Sequence, residues 1–175
     1  MKLKSLLLAL LVILCVSCEA THKTHSHSYA SIHTESVEFP IPVGFINDFD
    51  NILSDEQETI LLELVKNHEA ETSNQIAIVT LTSIQDYSGL EEYSLDLANH
   101  WGIGQKDKNN GVLIALYMKD RRIWIHNGDG IMHKLTDDET LDIIKKLMVP
   151  AFKKNDFYTG FQKGIEEIIK ELKDS

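Results

Sequence analysis

Gln75-Ile76-Ala77-Ile78-Val79-Thr80-Leu81 and Val112-Leu113-Ile114-Ala115-Leu116-Tyr117-Met118 are two short, nearly continuous apolar runs. Successive side chains of a strand point to opposite faces, so a run apolar at every position predicts a strand buried on both faces. Arg122-Ile123-Trp124-Ile125-His126 alternates instead, with Ile123 and Ile125 on one side and Arg122, Trp124 and His126 on the other. That pattern suits an exposed or edge strand. Only Met118-Lys119-Asp120-Arg121 separates it from the run before, so the last two strands are expected to form a hairpin.

Four helices surround these strands. Ser54-Asp55-Glu56-Gln57 reads as a capping box ahead of Ile60, Leu61, Leu64 and Val65, and Ser88-Gly89-Leu90-Glu91 as a second ahead of Tyr93, Leu97, Ala98 and Trp101. Thr136-Asp137-Asp138-Glu139 is a third, leading to Leu141, Ile144, Leu147 and Met148, with Pro150 expected to stop the helix. Phe157, Phe161, Ile165, Ile168, Ile169 and Leu172 form the last stripe. The expected fold is α/β: one domain, a helix–sheet–helix sandwich around a small mixed β-sheet.

Ahead of this domain the chain changes character. Lys2 and Lys4 precede the apolar run Leu6–Val16, which falls short of the ~20 residues a membrane span needs and reads as a secretory signal. Leu14-Cys15-Val16-Ser17-Cys18 looks like a bacterial lipobox, making Cys18 the expected lipidation site. Loss of residues 1–17 leaves no thiol free for a disulfide, a metal or a nucleophile. Residues 18–39, rich in Thr, Ser and His, read as a polar tether, and the domain is expected over 40–175. The 175-residue chain has a net charge of −10; without Lys2 and Lys4 it holds 15 basic residues against 27 acidic, a net of −12. Nucleic acid is excluded as a partner on charge. The expected setting is the bacterial cell envelope, exported and lipid-anchored, with a protein partner there.

The hairpin has a consequence for chemistry. Antiparallel pairing brings Asp107-Lys108-Asn109-Asn110-Gly111 and Asn127-Gly128-Asp129-Gly130 to one end of the sheet. Both loops are rich in oxygen ligands of the kind calcium takes. An EF-hand is rejected, because its terminal glutamate would fall on Met118. Asp137 reads equally as a first-turn acid favoured by the helix dipole. Asp48-Phe49-Asp50 looks like the aspartate pair of haloacid-dehalogenase-type phosphatases, but only Phe45 and Ile46 precede it as strand, and the strands are too few for that fold. No zinc-protease His pair, nucleophile elbow or phosphate loop is present, and His68, His100, His126 and His133 are scattered, so no catalytic residue is assigned.

The order of motifs resembles a TPM domain. Ile46-Asn47-Asp48, Asn74-Gln75-Ile76-Ala77-Ile78-Val79 and Ala98-Asn99-His100-Trp101-Gly102-Ile103-Gly104 match, followed by Asn110-Gly111-Val112-Leu113-Ile114, Gly128-Asp129-Gly130, Leu135-Thr136-Asp137 and Pro150-Ala151-Phe152. The resemblance implies a sandwich with a central acidic groove, binding of a divalent cation (calcium or magnesium) and, in some members, weak acid phosphatase activity. Asp48, Asn110 and Asp137 match positions associated with that groove. Where the family usually has Asp-Asn-Gly this chain has Asn109-Asn110-Gly111, and where it has Gly-Tyr-Gly-x-Glu this chain has Gly128-Asp129-Gly130-Ile131-Met132. Both departures remove a carboxylate, leaving Asp129 and Asp107 to compensate. The reading is a tethered accessory or interaction module with a divalent-cation site, the alternative a weak metal-dependent acid phosphatase.

Overall fold

A computed structural model of the chain describes residues 37–173; the expected signal, Cys18 and most of the tether lie outside the described residues. Among the described residues four strands form one sheet in the order β1 (Ile46–Asp48), β2 (Gln75–Leu81), β3 (Gly111–Tyr117), β4 (Arg122–Asn127). The first three run parallel and β4 returns antiparallel, pairing Val112 with Asn127 and Tyr117 with Arg122. The continuously apolar β2 and β3 are the two central strands, and the alternating β4 is an edge, as their patterns require.

The sheet separates two apolar layers. Ile76, Ile78, Val112, Ile114 and Leu116 face α1 (Asp55–Thr72) and α5 (Phe157–Lys173). Their strand neighbours Ala77, Val79, Leu81, Leu113, Ala115 and Tyr117 face α2 (Leu90–Trp101). Val37 and Phe39 also pack on the α2 layer, Phe39 with its ring 5.4 Å from that of Tyr93, so packed chain begins ahead of residue 40.

Three local expectations are corrected. β1 was not anticipated as a strand, because only Phe45 and Ile46 supply apolar character; its middle residue Asn47 is fully buried. The Asn47 amide takes the place of apolar packing by donating to Gly44 O (2.9 Å) and Ile78 O (3.1 Å) while accepting from Val43 N (2.8 Å). Of the three capping boxes, those at Ser54 and Thr136 form, but the one at Ser88 does not. Gly89 is the N-cap of α2, and the Ser88 hydroxyl bonds the Glu92 carboxylate one turn along.

The third correction concerns Pro150, which does not stop the chain's helical path. α3 (Asp137–Ile143) runs into a π-helical turn (Ile144–Met148), where Val149 N donates to Ile144 O, and then into α4 (Val149–Phe152). A proline inside a helix lacks its N–H and clashes with the carbonyl four residues back; widening the preceding turn makes room for the ring. The segment then lies against two glycines of α5. A Cβ on Gly160 would stand 2.3 Å from Phe152 Cε1, and one on Gly164 2.7 Å from Met148 Sδ.

Candidate functional site

At the amino end of β3 the predicted loops converge. Gly128 N donates to Gly111 O (2.8 Å) and Gly130 N to Asn109 O (3.0 Å). The approach is too close for side chains: a Cβ on Gly128 would lie 2.0 Å from Asn109 O, and one on Gly130 1.7 Å from Lys108 O. Asn109 itself sits in the left-handed region at φ 45°, which asparagine tolerates better than most residues.

Asn110 holds this end together. It is only 3% exposed; its Oδ1 accepts from Gln105 N (2.8 Å) while its Nδ2 donates to Ser73 O (2.8 Å) and Asn74 Oδ1 (3.2 Å). One amide thus ties the loop before β3 to the end of α1. Asp107 and Asp129 are exposed on the two loops, and Asp137 is exposed in the first turn of α3. Asn127 anchors that helix start by donating to Leu135 O (3.1 Å) and Thr140 Oγ1 (2.7 Å).

Asp48 is elsewhere. The register pairs it with Thr80, and Thr80 with Leu116, whereas the Asn110 end lies beyond the Gln75–Gly111 pair. Five residues of strand separate those levels, on the order of 17 Å. Two oxygens on one calcium ion stand at most ~5 Å apart. A single cation therefore cannot join Asp48 to Asn109, Asn110 or Asp129, and the expected six-residue site is divided between opposite ends of the sheet. The Asn110 amide is also already engaged at both its polar atoms. Among the described residues no group of three or more His, Cys, Asp or Glu is set to hold a metal ion. The residues present do not fit the divalent cation as expected.

What Asp48 does hold is local structure and charge. Its Oδ1 accepts from Thr80 Oγ1 (2.6 Å) and its Oδ2 from Leu53 N (2.7 Å). Asp50 N donates to the same Thr80 hydroxyl (3.0 Å). Burial, and then the Asp48 charge, pushes the Asp50 carboxyl above the usual range, and its Oδ2 is buried without a partner. Burial followed by Asp48 and Asp55 does the same to Glu58. These carboxyls gather at the carboxyl end of β1, the end of parallel strands where α/β sheets bind ligands.

A second feature lies back at the loop end, between α2 and the mouth of the hairpin. A cavity of about 280 Å³ has Leu95, Ala98 and Leu113 as apolar wall and Asn109, His126 and Asp129 as polar rim. His126 Nε2 is 3.1 Å from Glu91 O and 2.9 Å from Ser94 Oγ. A Ser–His pair invites comparison with an activated nucleophile, but Ser94 is fully buried and its hydroxyl donates to Leu90 O at 2.6 Å. The pair is a structural link between α2 and β4. In the sequence His126 is one of the scattered histidines; the signal for its role is its place on the same side of β4 as Trp124, the side α2 covers.

Residues 46–171 match the TPM domain family. Among solved structures, the N-terminal domain of a P. gingivalis protein is 30% identical, with a TM-score of 0.67, covering 73% of this chain and 81% of that one. The BA42 protein of the psychrophilic bacterium Bizionia argentinensis is 22% identical (TM-score 0.61; 71% of this chain, 83% of that one). The N-terminal domain of a Corynebacterium glutamicum protein is 19% identical (TM-score 0.59; 80% and 88%). These last two likenesses speak to the fold alone. No curated protein matches the chain. The sheet order, the paired glycine loops and the match over nearly all of the described chain lead to one assignment: the protein belongs to the TPM domain family.

Proposed function

We propose that this chain is a membrane-tethered, exported interaction module that works by binding a protein partner in the cell envelope rather than by catalysis. One observation carries the reading: the open cavity beside α2 offers an apolar wall and hydrogen-bonding groups, while the Ser–His contact at its edge is spent on a buried serine. The lipobox-like run ending at Cys18 supports the tether. Among the described residues, no helix is long and apolar enough to cross a membrane.

The second reading is a weak acid phosphatase at the carboxyl end of β1. It is favoured by Asp48 and Asp50, two neighbouring carboxyls of which one is pushed toward its protonated form, the usual basis for dividing acid and base roles. Hydrolysis of a chromogenic phosphate ester by the purified chain separates the two. No turnover above buffer, with or without calcium or magnesium, is expected. Turnover that Asp48→Asn abolishes would overturn the binding-module reading. For the tether, Cys18→Ser should move the protein from the membrane fraction to the soluble one; unchanged partition would remove the lipid anchor from the proposal.

A further inference from the structure

The cavity between α2 and the glycine loops has a lining of defined polarity. The tautomer of His126 is decided by its neighbours. A backbone carbonyl can only accept, so the contact of Nε2 with Glu91 O requires hydrogen on Nε2. The Ser94 proton is committed to Leu90 O, so the serine oxygen accepts from the same Nε2–H. Burial lowers the pKa of the ring and favours its neutral form. Nδ1 then carries a lone pair and has no partner among the described residues. His126 therefore brings an acceptor to the cavity it lines, and Asp129 brings a carboxylate.

The rest of the lining agrees in sign and shape. Among the described residues no lysine or arginine lines it, and the amides of Asn99 and Asn109 can each turn an oxygen inward. Leu95, Ala98 and Leu113 offer an apolar wall to methylene groups. At about 280 Å³ the space lies below the ~300 Å³ at which pockets begin to hold drug-sized ligands, so it suits one side chain. A bare metal ion is disfavoured, because no group of three His, Cys, Asp or Glu that could hold one is found among the described residues.

We infer that this cavity receives the side chain of an arginine displayed by the partner protein, its stem against Leu95 and Ala98 and its guanidinium among the acceptors of His126, Asp129 and the asparagines. The inference rests on the binding-module reading and names the chemistry of the partner. Arginine is favoured over lysine because the acceptors come from separate elements, α2, β4 and the loops. A planar fork with five donors can serve several at once, where an ammonium is a single strongly hydrated point. The net charge of −10 adds long-range attraction for a basic partner.

The test uses the chain carrying Cys18→Ser and follows amide chemical shifts on adding N-acetyl-arginine amide, its neutral citrulline counterpart, or the lysine equivalent. Shifts for arginine should cluster on residues 95–99, 109 and 126–129, with a Kd on the order of 1 mM, suited to one isolated side chain. Citrulline should bind at least about fivefold more weakly, and Asp129→Asn should weaken arginine by a similar factor. His126→Phe should do the same without moving the shifts of α1 or α5. Equal binding of citrulline and arginine, indifference to Asp129→Asn, or shifts spread over the whole acidic surface would each overturn the inference. Such a failure in a protein without phosphate-ester turnover leaves the binding-module reading standing; turnover removes that reading itself.

Discussion

Replacing Asn110 by Asp separates a residue that organises loops from one that holds a cation. The change keeps size and shape but exchanges a donor for an acceptor. Nδ2 now gives hydrogens to Ser73 O at 2.8 Å and Asn74 Oδ1 at 3.2 Å; the introduced carboxylate would face both oxygens from a position 3% exposed. Burial and repulsion raise the pKa of such a group, and a rise of roughly 2–3 units at about 1.36 kcal/mol each costs about 3–4 kcal/mol at pH 7. That is a large part of the 5–15 kcal/mol typical of a whole domain, and should lower Tm by roughly 10 °C. The sign with pH is fixed. The folded pKa lies above the unfolded value of about 3.9, so between the two the native state binds more protons. Stability relative to the parent therefore falls as pH rises through that window, and most of the loss is recovered near pH 4. Urea unfolding of parent and variant at pH 4 and pH 7, with and without calcium, measures the effect. If the variant equals the parent at pH 7 and gains stability only with calcium, Asn110 is a ligand position and the loop-holding account is wrong.

The remaining expectations follow from single contacts. Gly128→Ala puts a Cβ 2.0 Å from Asn109 O and should destabilise by about 3 kcal/mol, while Gly44→Ala, with nothing within 4 Å, should stay within about 0.5 kcal/mol; equal effects in chemical unfolding would mean the loops part freely. Thr136→Ala removes the hydroxyl that caps Glu139 N and its contact with the Glu139 carboxylate, leaving the backbone bond from residue 136 to that carboxylate, and should cost about 1 kcal/mol by the same assay, whereas Ser88→Ala, which caps nothing, should cost less than half that. His68 and His126 are held below the ordinary histidine range, His68 by burial and then Lys173, His126 by burial. The unfolded chain binds more protons than the native one between the folded values and about 6.5, so this contribution to stability is present above 6.5 and lost as pH falls through that window. Ring-proton NMR titrations of both should show midpoints below 6.5, and a midpoint above it for either would refute the burial argument.

Local pattern carried most of the architecture. Burial on both faces is written into the nearly continuous apolar runs Ile76–Leu81 and Val112–Tyr117, and hairpin geometry follows from the four residues at 118–121, so the meeting of the Asn109 and Gly128 loops is legible in the sequence. What was not legible depends on partners distant in sequence. Asn47 is polar in composition yet wholly buried, because its amide is satisfied by Ile78 across the sheet. The level of Asp48 on the sheet is set by its pairing with Thr80, 32 residues away, and no local spacing reports it. For the same reason Asn110 could be read as an oxygen ligand, when its environment makes it a three-way tie. His126 gained a role only once α2 lay over β4.

The π-helical turn at Ile144–Met148 has a consequence for how this chain can change length. An α-helix advances about 100° of rotation per residue, and a turn closed by a bond to the fifth residue back takes up one residue more than an α-turn. Everything beyond Met148 is therefore set in phase by that extra residue: Phe152 arrives over Gly160 as Met148 arrives over Gly164. Deleting one residue between 144 and 148 would restore an ordinary helix, and with it swing Phe152 about 100° away from its notch. Insertions and deletions should accordingly be absent from the stretch between Thr136 and Phe152 in functional relatives.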